Sequence, residues 1–447
     1  MRIQNFVSRH HLVHRAITIF ILSAGTVGCA IDRPVDKLAD ECNLPAQPIR
    51  VVITEDGIEN AAVGGVPTDS IGIALAAIAR AKPPSSSDDG IVRNLVLSGG
   101  GQHGAFGSGF IKGMQTANTL PRYDVVTGVS TGALQATFAF LGNDSAPLDR
   151  ILAAEADFPA DANGRPRTNV DDLISGYTIT REKTLYEDKG TTGIIRGAAK
   201  GNLGPLAKRL DRLITRETLA ELAKANNGST SEPKRKLFIA LLNYESGDTE
   251  AVDMTALAAR LNDNKFPLIQ HCYNQVLIAA SSEPIGAPPV VIDNKIYFDA
   301  GLRYGVFLKQ FLGNAMMVAK SNNARRPQGI ARSLPSVRTD IIVNGDLAIG
   351  NAGEKFKTKF SALDIAGRGR KILVNQIYRF SVSDIVKAQS QSHVIRFASI
   401  RVAETDAGPP ANGATFDPVY MRRMIALGKT RGAADDWQKL SDVANIQ

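Results

Sequence analysis

Two glycine-rich segments and one aspartate hold the residue types that acyl chemistry requires. In Thr127-Gly128-Val129-Ser130-Thr131-Gly132 a serine stands between two glycines. Where a strand enters this pattern and a helix leaves it, Gly128 and Gly132 permit a sharp turn that holds the serine strained and exposed, as a nucleophile elbow does. A serine hydroxyl is a poor nucleophile without a base in reach. Phe298-Asp299-Ala300-Gly301 offers a carboxylate. An aspartate titrates near ~3.9 when unperturbed, so Asp299 needs desolvation to act near neutrality. Upstream, Gly99-Gly100-Gly101-Gln102-His103-Gly104 exposes backbone N–H groups at the start of a helix, where negative charge is favoured. Such a turn cradles either a phosphate or an oxyanion. Gly99, Gly101 and Gly104 satisfy a dinucleotide fingerprint, but that site wants an acidic residue ending the second strand, and Asp124 begins it. No Gly-Lys-Ser/Thr follows, which excludes a Walker loop. Standing just before the serine motif, the turn reads as an oxyanion hole.

Three histidines outside the N-terminal segment test this reading. Ser130, Asp299 and His393 fall in the order of an α/β-hydrolase triad, so a triad stands as the alternative to a serine–aspartate pair. His271 adjoins Cys272 but lacks further ligands at zinc spacing, and His103 lies inside the glycine turn. We therefore expect neither metal nor cofactor. The net charge of +8 comes with no basic block interleaved with aromatics, which argues against a nucleic-acid partner.

These residues need strands and helices to hold them. Asn94–Ser98, Tyr123–Thr127, Lys236–Leu242 and Ile296–Phe298 read as strands, and Ala105–Ala117 and Ala133–Leu141 as helices. The alternation predicts an α/β fold with a mostly parallel central sheet and its site at the carboxyl ends of the strands. Gly107, Gly109 and Gly113 are expected to let the first helix approach that sheet. Leu203–Lys224 reads as one amphipathic helix, with Leu206, Leu210, Leu213 and Ile214 turned to the core and contact with anionic lipid as the alternative.

Ahead of the core, Arg2, Arg9 and Arg15 precede an apolar run, Ala16–Gly28, in the layout of a secretory leader. The run is shorter than the about 20 residues a membrane-spanning helix needs. Val27-Gly28-Cys29 resembles the lipobox of bacterial lipoproteins, with Thr26 where a leucine is usual. Cys29 would then be lipidated. The protein would be secreted across the inner membrane and anchored to the outer membrane, facing the periplasm. Four regions are expected: a leader (1–28), a tether and extension (29–90), a catalytic core (91–312) and a C-terminal extension packing on or completing it (313–447). Within the second, Val51–Ile53 reads as a short strand, Ser70–Ala81 as a helix and Pro83–Gly90 as a linker. Cys42 and Cys272 either pair or are two unrelated buried thiols.

The order glycine loop, Gly-x-Ser-x-Gly, Ala279–Ile285, then Asp299-Ala300-Gly301 resembles the patatin-like phospholipase family over Leu95–Phe307, with further likeness at Phe238–Thr249 and Phe416–Met421. The resemblance implies a three-layer α/β/α fold, Ser130 as nucleophile, Asp299 as base and no catalytic histidine. It assigns oxyanion donors to the N–H groups of Gly100 and Gly101 with Gln102, in a loop framed by Gly99 and Gly104. The implied partner is a membrane lipid or lipid ester, cleaved at a phospholipid or lysophospholipid acyl bond. The same residues would also serve acyl transfer, and a non-catalytic envelope component would keep the same fold. Two departures stand out. His103 occupies a place where the family carries Arg or Lys, and Ala300-Gly301 replaces Gly-Gly or Gly-Ala.

Overall fold

The computed structural model describes residues 39–49, 51–54, 57–60, 62–63, 66–67, 77–78, 91–144, 168–190, 192–193, 199–229, 233–308, 336–345, 347, 362–386, 393–401, 404 and 415–438. The leader, the Cys29 lipidation site, the Pro83–Gly90 linker and most of the Ser70–Ala81 helix lie outside the described residues. Val51–Thr54 is a strand paired with Gly57–Asn60.

One nine-stranded sheet organises the chain. Its strands are β1 (Ala46–Ile49), β2 (Val92–Leu97), β3 (Val125–Gly128), β4 (Lys236–Asn243), β5 (Thr249–Asp253), β6 (Val290–Ile292), β7 (Lys295–Asp299), β8 (Val337–Val343) and β9 (His393–Ser399). The order is β1-β5-β4-β3-β2-β8-β9, with β7 joining β4 and β6 joining β7. From β4 to β9 all neighbours on that path are parallel, β1 and β5 pair antiparallel on one side of β4, and β7 pairs antiparallel with the end of β4 on its β3 side.

Parallel strands covered on both faces alternate between two cores. On β2, Leu95 and Leu97 enter one core while Val92 and Val96 enter the other; on β4, Leu237, Ile239 and Leu241 oppose Phe238 and Ala240. The first core is packed by helices α1 (Gly104–Thr116), α2 (Thr131–Leu141), α3 (Asn169–Tyr177), α4 (Gly204–Leu213), α5 (Arg216–Asn227) and α6 (Phe266–Ser281). Helix α7 (Ala362–Val386) lies on the opposite face through Val382 and Ile385, and α8 (Pro418–Ala433) returns to the first. The result is the three-layer α/β/α arrangement with a mostly parallel sheet.

Two local expectations need correction. The Leu203–Lys224 stretch is not one helix but two, because Ile214 leaves helical geometry (ψ 83°) and the Thr215 side chain caps a new helix by accepting from Thr218 N–H. Gly109 and Gly113 serve a helix contact instead of the sheet. A β-carbon on either would meet the backbone of α8 at 2.2 Å, and Gly428 and Gly432 of α8 lie as close to the Phe106 and Phe110 carbonyls of α1. Only Gly107 faces β8, at Ile342. Cys42, just before β1, is disulfide-bonded to Cys272 of α6.

Candidate active site

β3 ends where Ser130 begins to cap α2, and the turn between them is tight. Ser130 has φ 54° and ψ −126°, a left-handed conformation that an L-residue adopts only under constraint. The constraint is visible in the neighbours. Val129 N–H donates to the Leu97 carbonyl (3.1 Å) and Ala133 N–H to the Ser130 carbonyl (2.8 Å). A β-carbon on Gly128 would lie 2.5 Å from the Gly132 carbonyl oxygen, and one on Gly132 would lie 2.4 Å from that of Leu97. The two glycines therefore let β2, β3 and α2 meet closely enough to fix the serine. Behind it, the Thr131 hydroxyl is hydrogen-bonded to Tyr177 of α3, whose hydroxyl donates to the Thr131 carbonyl (2.8 Å).

Asp299 ends β7, directly opposite Leu241 of β4. Its N–H donates to the Ser282 carbonyl (3.0 Å) and one carboxylate oxygen accepts from Gly301 N–H (2.7 Å). The side chain is buried, and desolvation pushes its pKa up to about 6 against the opposing pull of the Ser130 hydroxyl and Gly301 N–H. The Ser130 hydroxyl stands beside this carboxylate and favours its ionised form. Two motifs 169 positions apart in sequence thus meet at one point. A carboxylate poised near neutrality beside a strained hydroxyl can accept that hydroxyl's proton.

The glycine loop supplies polar groups of the opposite kind. Gly100 (φ 143°) and Gly101 (φ 56°) adopt conformations that favour glycine, and a β-carbon on Gly100 would collide with the Asn344 carbonyl, whereas above Gly101 space is open. Gly99 N–H is taken by the Gly305 carbonyl (3.4 Å), and Gly104 N–H by the Gly101 and Gln102 carbonyls. The N–H groups of Gly100 and Gly101 have no backbone acceptor among the described residues. Gly99 and Gly104 thus frame the loop with their N–H groups engaged, and those of Gly100 and Gly101 stay available to a further acceptor. The Gln102 side chain reaches outward, its amide oxygen accepting from Asp417 N–H (2.9 Å), and its backbone N–H is not engaged by that contact.

His103 does not act as a cation. Burial lowers its pKa to about 4, and Nδ1 hydrogen-bonds the Tyr420 hydroxyl (2.6 Å). The loop is thus tied to α8 at two adjacent residues by neutral contacts. His393 is remote from this site. It begins β9 in register with Val337, which is in register with Val92 at the start of β2, so about six residues at ~3.3 Å separate its level from the loop. Its Nε2 pairs with the Thr339 hydroxyl (2.9 Å). The triad alternative has no support in this geometry. Among the described residues no group of three or more His, Cys, Asp or Glu is placed to hold a metal ion.

Several participants were missed from the sequence. Tyr378 of α7 reaches the site, its hydroxyl 2.0 Å from where a Gly99 β-carbon would stand and 3.7 Å from that of Gly301. Burial and the Asp299 carboxylate both hold its proton firmly in place by raising its pKa. Beneath the loop, Gln135 and Asn344 exchange amide hydrogen bonds and bind the Gly104 and Ser98 carbonyls. From Ser130 and Gly101 an apolar cavity runs inward between Leu134, Phe138, Leu173, Leu206, Leu210 and Phe416. The apolar face of the 203–224 segment lines that cavity.

Comparison with known proteins gives the site a context. Residues 95–312 match the family model described as patatin-like phospholipase. No curated protein matches the sequence. Twelve chains of solved structures match it, among them VipD from Legionella pneumophila, 13% identical over 78% of this chain and 67% of that chain, with a TM-score of 0.28. At that score the two chains share no close overall superposition.

Proposed function

We propose, from the premise that residues 95–312 form a patatin-like phospholipase domain and hence a carboxylic ester hydrolase, that Ser130 and Asp299 are the catalytic pair and that the substrate is a phospholipid or lysophospholipid acyl ester. The observation that carries this reading is Ser130, its backbone strained, against the buried Asp299 carboxylate, beside two N–H groups without a backbone acceptor among the described residues.

Ser130 Oγ attacks the ester carbonyl carbon as Asp299 takes its proton. The carbonyl π electrons move to oxygen, and the Gly100 and Gly101 N–H groups bind the resulting oxyanion, a contact whose loss costs about 10²–10³ in rate. Collapse of the tetrahedral intermediate breaks the bond to the alcohol, which leaves with the proton from Asp299. The acyl-enzyme is then attacked by water, with Asp299 again as base, releasing the fatty acid and restoring Ser130. The apolar cavity at Ser130 would take the acyl chain.

The leader and Cys29 place this chemistry, in our reading, at the outer membrane facing the periplasm. The Cys42–Cys272 bond supports an oxidising compartment, since such bonds persist there and are rare in a reducing cytosol. The catalytic assignment is tested by Ser130→Ala. Fluorophosphonate labelling and hydrolysis of phospholipid should both disappear, and hydrolysis retained in that variant would overturn the mechanism.

A further inference from the structure

Helix α7 carries apolar side chains on two faces. Its inner face is accounted for: Val382 and Ile385 are buried in the second core, Tyr378 enters the site, and the Ser381 hydroxyl accepts from Gly305 N–H (3.1 Å). Its outer face is not. Ile365, Leu373 and Phe380 are 63, 67 and 67% exposed, and Ile372 is 42% exposed. At about 100° per residue these four fall within an arc of about 100°, roughly opposite the arc of Tyr378, Val382 and Ile385. Scattered single exposed apolar residues need no explanation, but a stripe along one helix does. A helix on a protein surface normally turns charged and polar residues outward.

The helix sequence also holds Arg368, Arg370, Lys371 and Arg379 against only Asp364 and Asp384. Among the described residues no helix is long and apolar enough to cross a membrane, so α7 does not span one. A cationic helix with an apolar stripe is the pattern of one lying in the interface plane of a bilayer.

We propose that the outer face of α7 docks on an anionic phospholipid surface. A helix with its side chains is about 10–12 Å across, so docking brings Tyr378 and the Ser130–Asp299 pair to about one helix diameter below the headgroups. The part of this inference that concerns substrate delivery rests on the proposed lipid hydrolysis; the docking itself does not.

The test compares the wild type with Ile372→Ser/Leu373→Ser/Phe380→Ser. Co-sedimentation is measured with vesicles of phosphatidylcholine alone and of phosphatidylcholine with phosphatidylglycerol, alongside turnover of vesicle phospholipid and of a soluble short-chain nitrophenyl ester. Wild type should bind the mixed vesicles more tightly than the neutral ones. The variant should bind about tenfold more weakly or worse, as the lost apolar contact implies, and vesicle turnover should fall with it. Soluble-ester turnover should stay within about twofold, because none of the three residues lines the site or its cavity. Leu373→Asp alone should show the same direction should the triple variant fold poorly. Unchanged vesicle binding, or a wild type that binds neither vesicle, overturns the proposal, as does a wild-type dimer dispersed by the substitutions without lipid binding. Stripe-dependent binding by a protein that hydrolyses neither substrate leaves docking standing and overturns the catalytic reading instead.

Discussion

Asp299 has a raised pKa because its carboxylate is buried, and this has two consequences with opposite signs. In the proposed mechanism the ionised form is required, so kcat/KM should rise through pH about 6 and level off above it. For stability, the folded state holds the carboxyl proton more tightly than the unfolded chain, where a carboxyl titrates near ~3.9. Between about pH 4 and 6 the folded state binds more protons, so stability falls as pH rises across that window. Asp299→Asn removes the buried charge. The variant should be inactive yet more stable than wild type at pH 8, by on the order of 2–3 kcal/mol, with the gain vanishing near pH 4. Urea unfolding at the two pH values measures it, and equal stability at pH 8 would refute the account. At this scale the sequence was informative because the chemistry is written locally. Ser130 stands between Gly128 and Gly132, whose β-carbons would strike neighbouring carbonyls, and Asp299 stands two residues before Gly301. His103 was legible only as a departure. Its partner Tyr420 lies 317 positions downstream, and nothing around either residue signals the other.

At the scale of elements, the site depends on how closely α7 approaches the glycine loop. The Tyr378 hydroxyl and Ser130 Cβ lie 2.0 and 3.0 Å from the point that a Gly99 β-carbon would take. Gly99→Ala should therefore displace either the tyrosine or the nucleophile and cut kcat/KM sharply. Removing the hydroxyl in Gly99→Ala/Tyr378→Phe takes away the nearest clash, leaving Ser130 Cβ at 3.0 Å and the ring carbon at 3.2 Å, so part of the lost activity should return. A double-mutant cycle reads this coupling, expected at about 0.5–3 kcal/mol for residues in contact; additive effects would refute it. The strands around the site were readable because a sheet buried on both faces writes a continuous apolar run. The break at Ile214 was not, because Leu206, Leu210 and Leu213 keep helical spacing up to it. The one local cue was Thr215, a capping residue placed three before Thr218. Tyr378 gave no cue, since no motif around it marks the approach of its helix to the glycine loop.

For the whole molecule, the Cys42–Cys272 bond closes a loop across most of the described sheet, with 230 positions between its ends. Cross-links over long loops restrict the unfolded chain most, so Cys42→Ser/Cys272→Ser should destabilise by about 2–4 kcal/mol. Equilibrium urea unfolding of the double variant under non-reducing conditions tests this, and an unchanged midpoint would refute it. The fold class followed from strand–helix alternation, but the pairing of these cysteines did not, because spacing alone cannot say which parts of the chain a sheet brings together.

β8 has a place in the sheet that bears on how this protein could be divided. It lies beside β2, the strand that leads into the glycine loop, and separates that strand from β9. Asn344, just past its end, supports the loop from below, while Tyr378 and Tyr420 reach the loop from α7 and α8. All of these residues fall beyond residues 95–312, the segment that matches the patatin-like phospholipase model. The stretch that carries the recognisable motifs is therefore not a unit of assembly. An excised 91–312 fragment would keep the reactive groups while exposing one flank of β2, so the later half of the chain is a wall of the site and not an appendage to it.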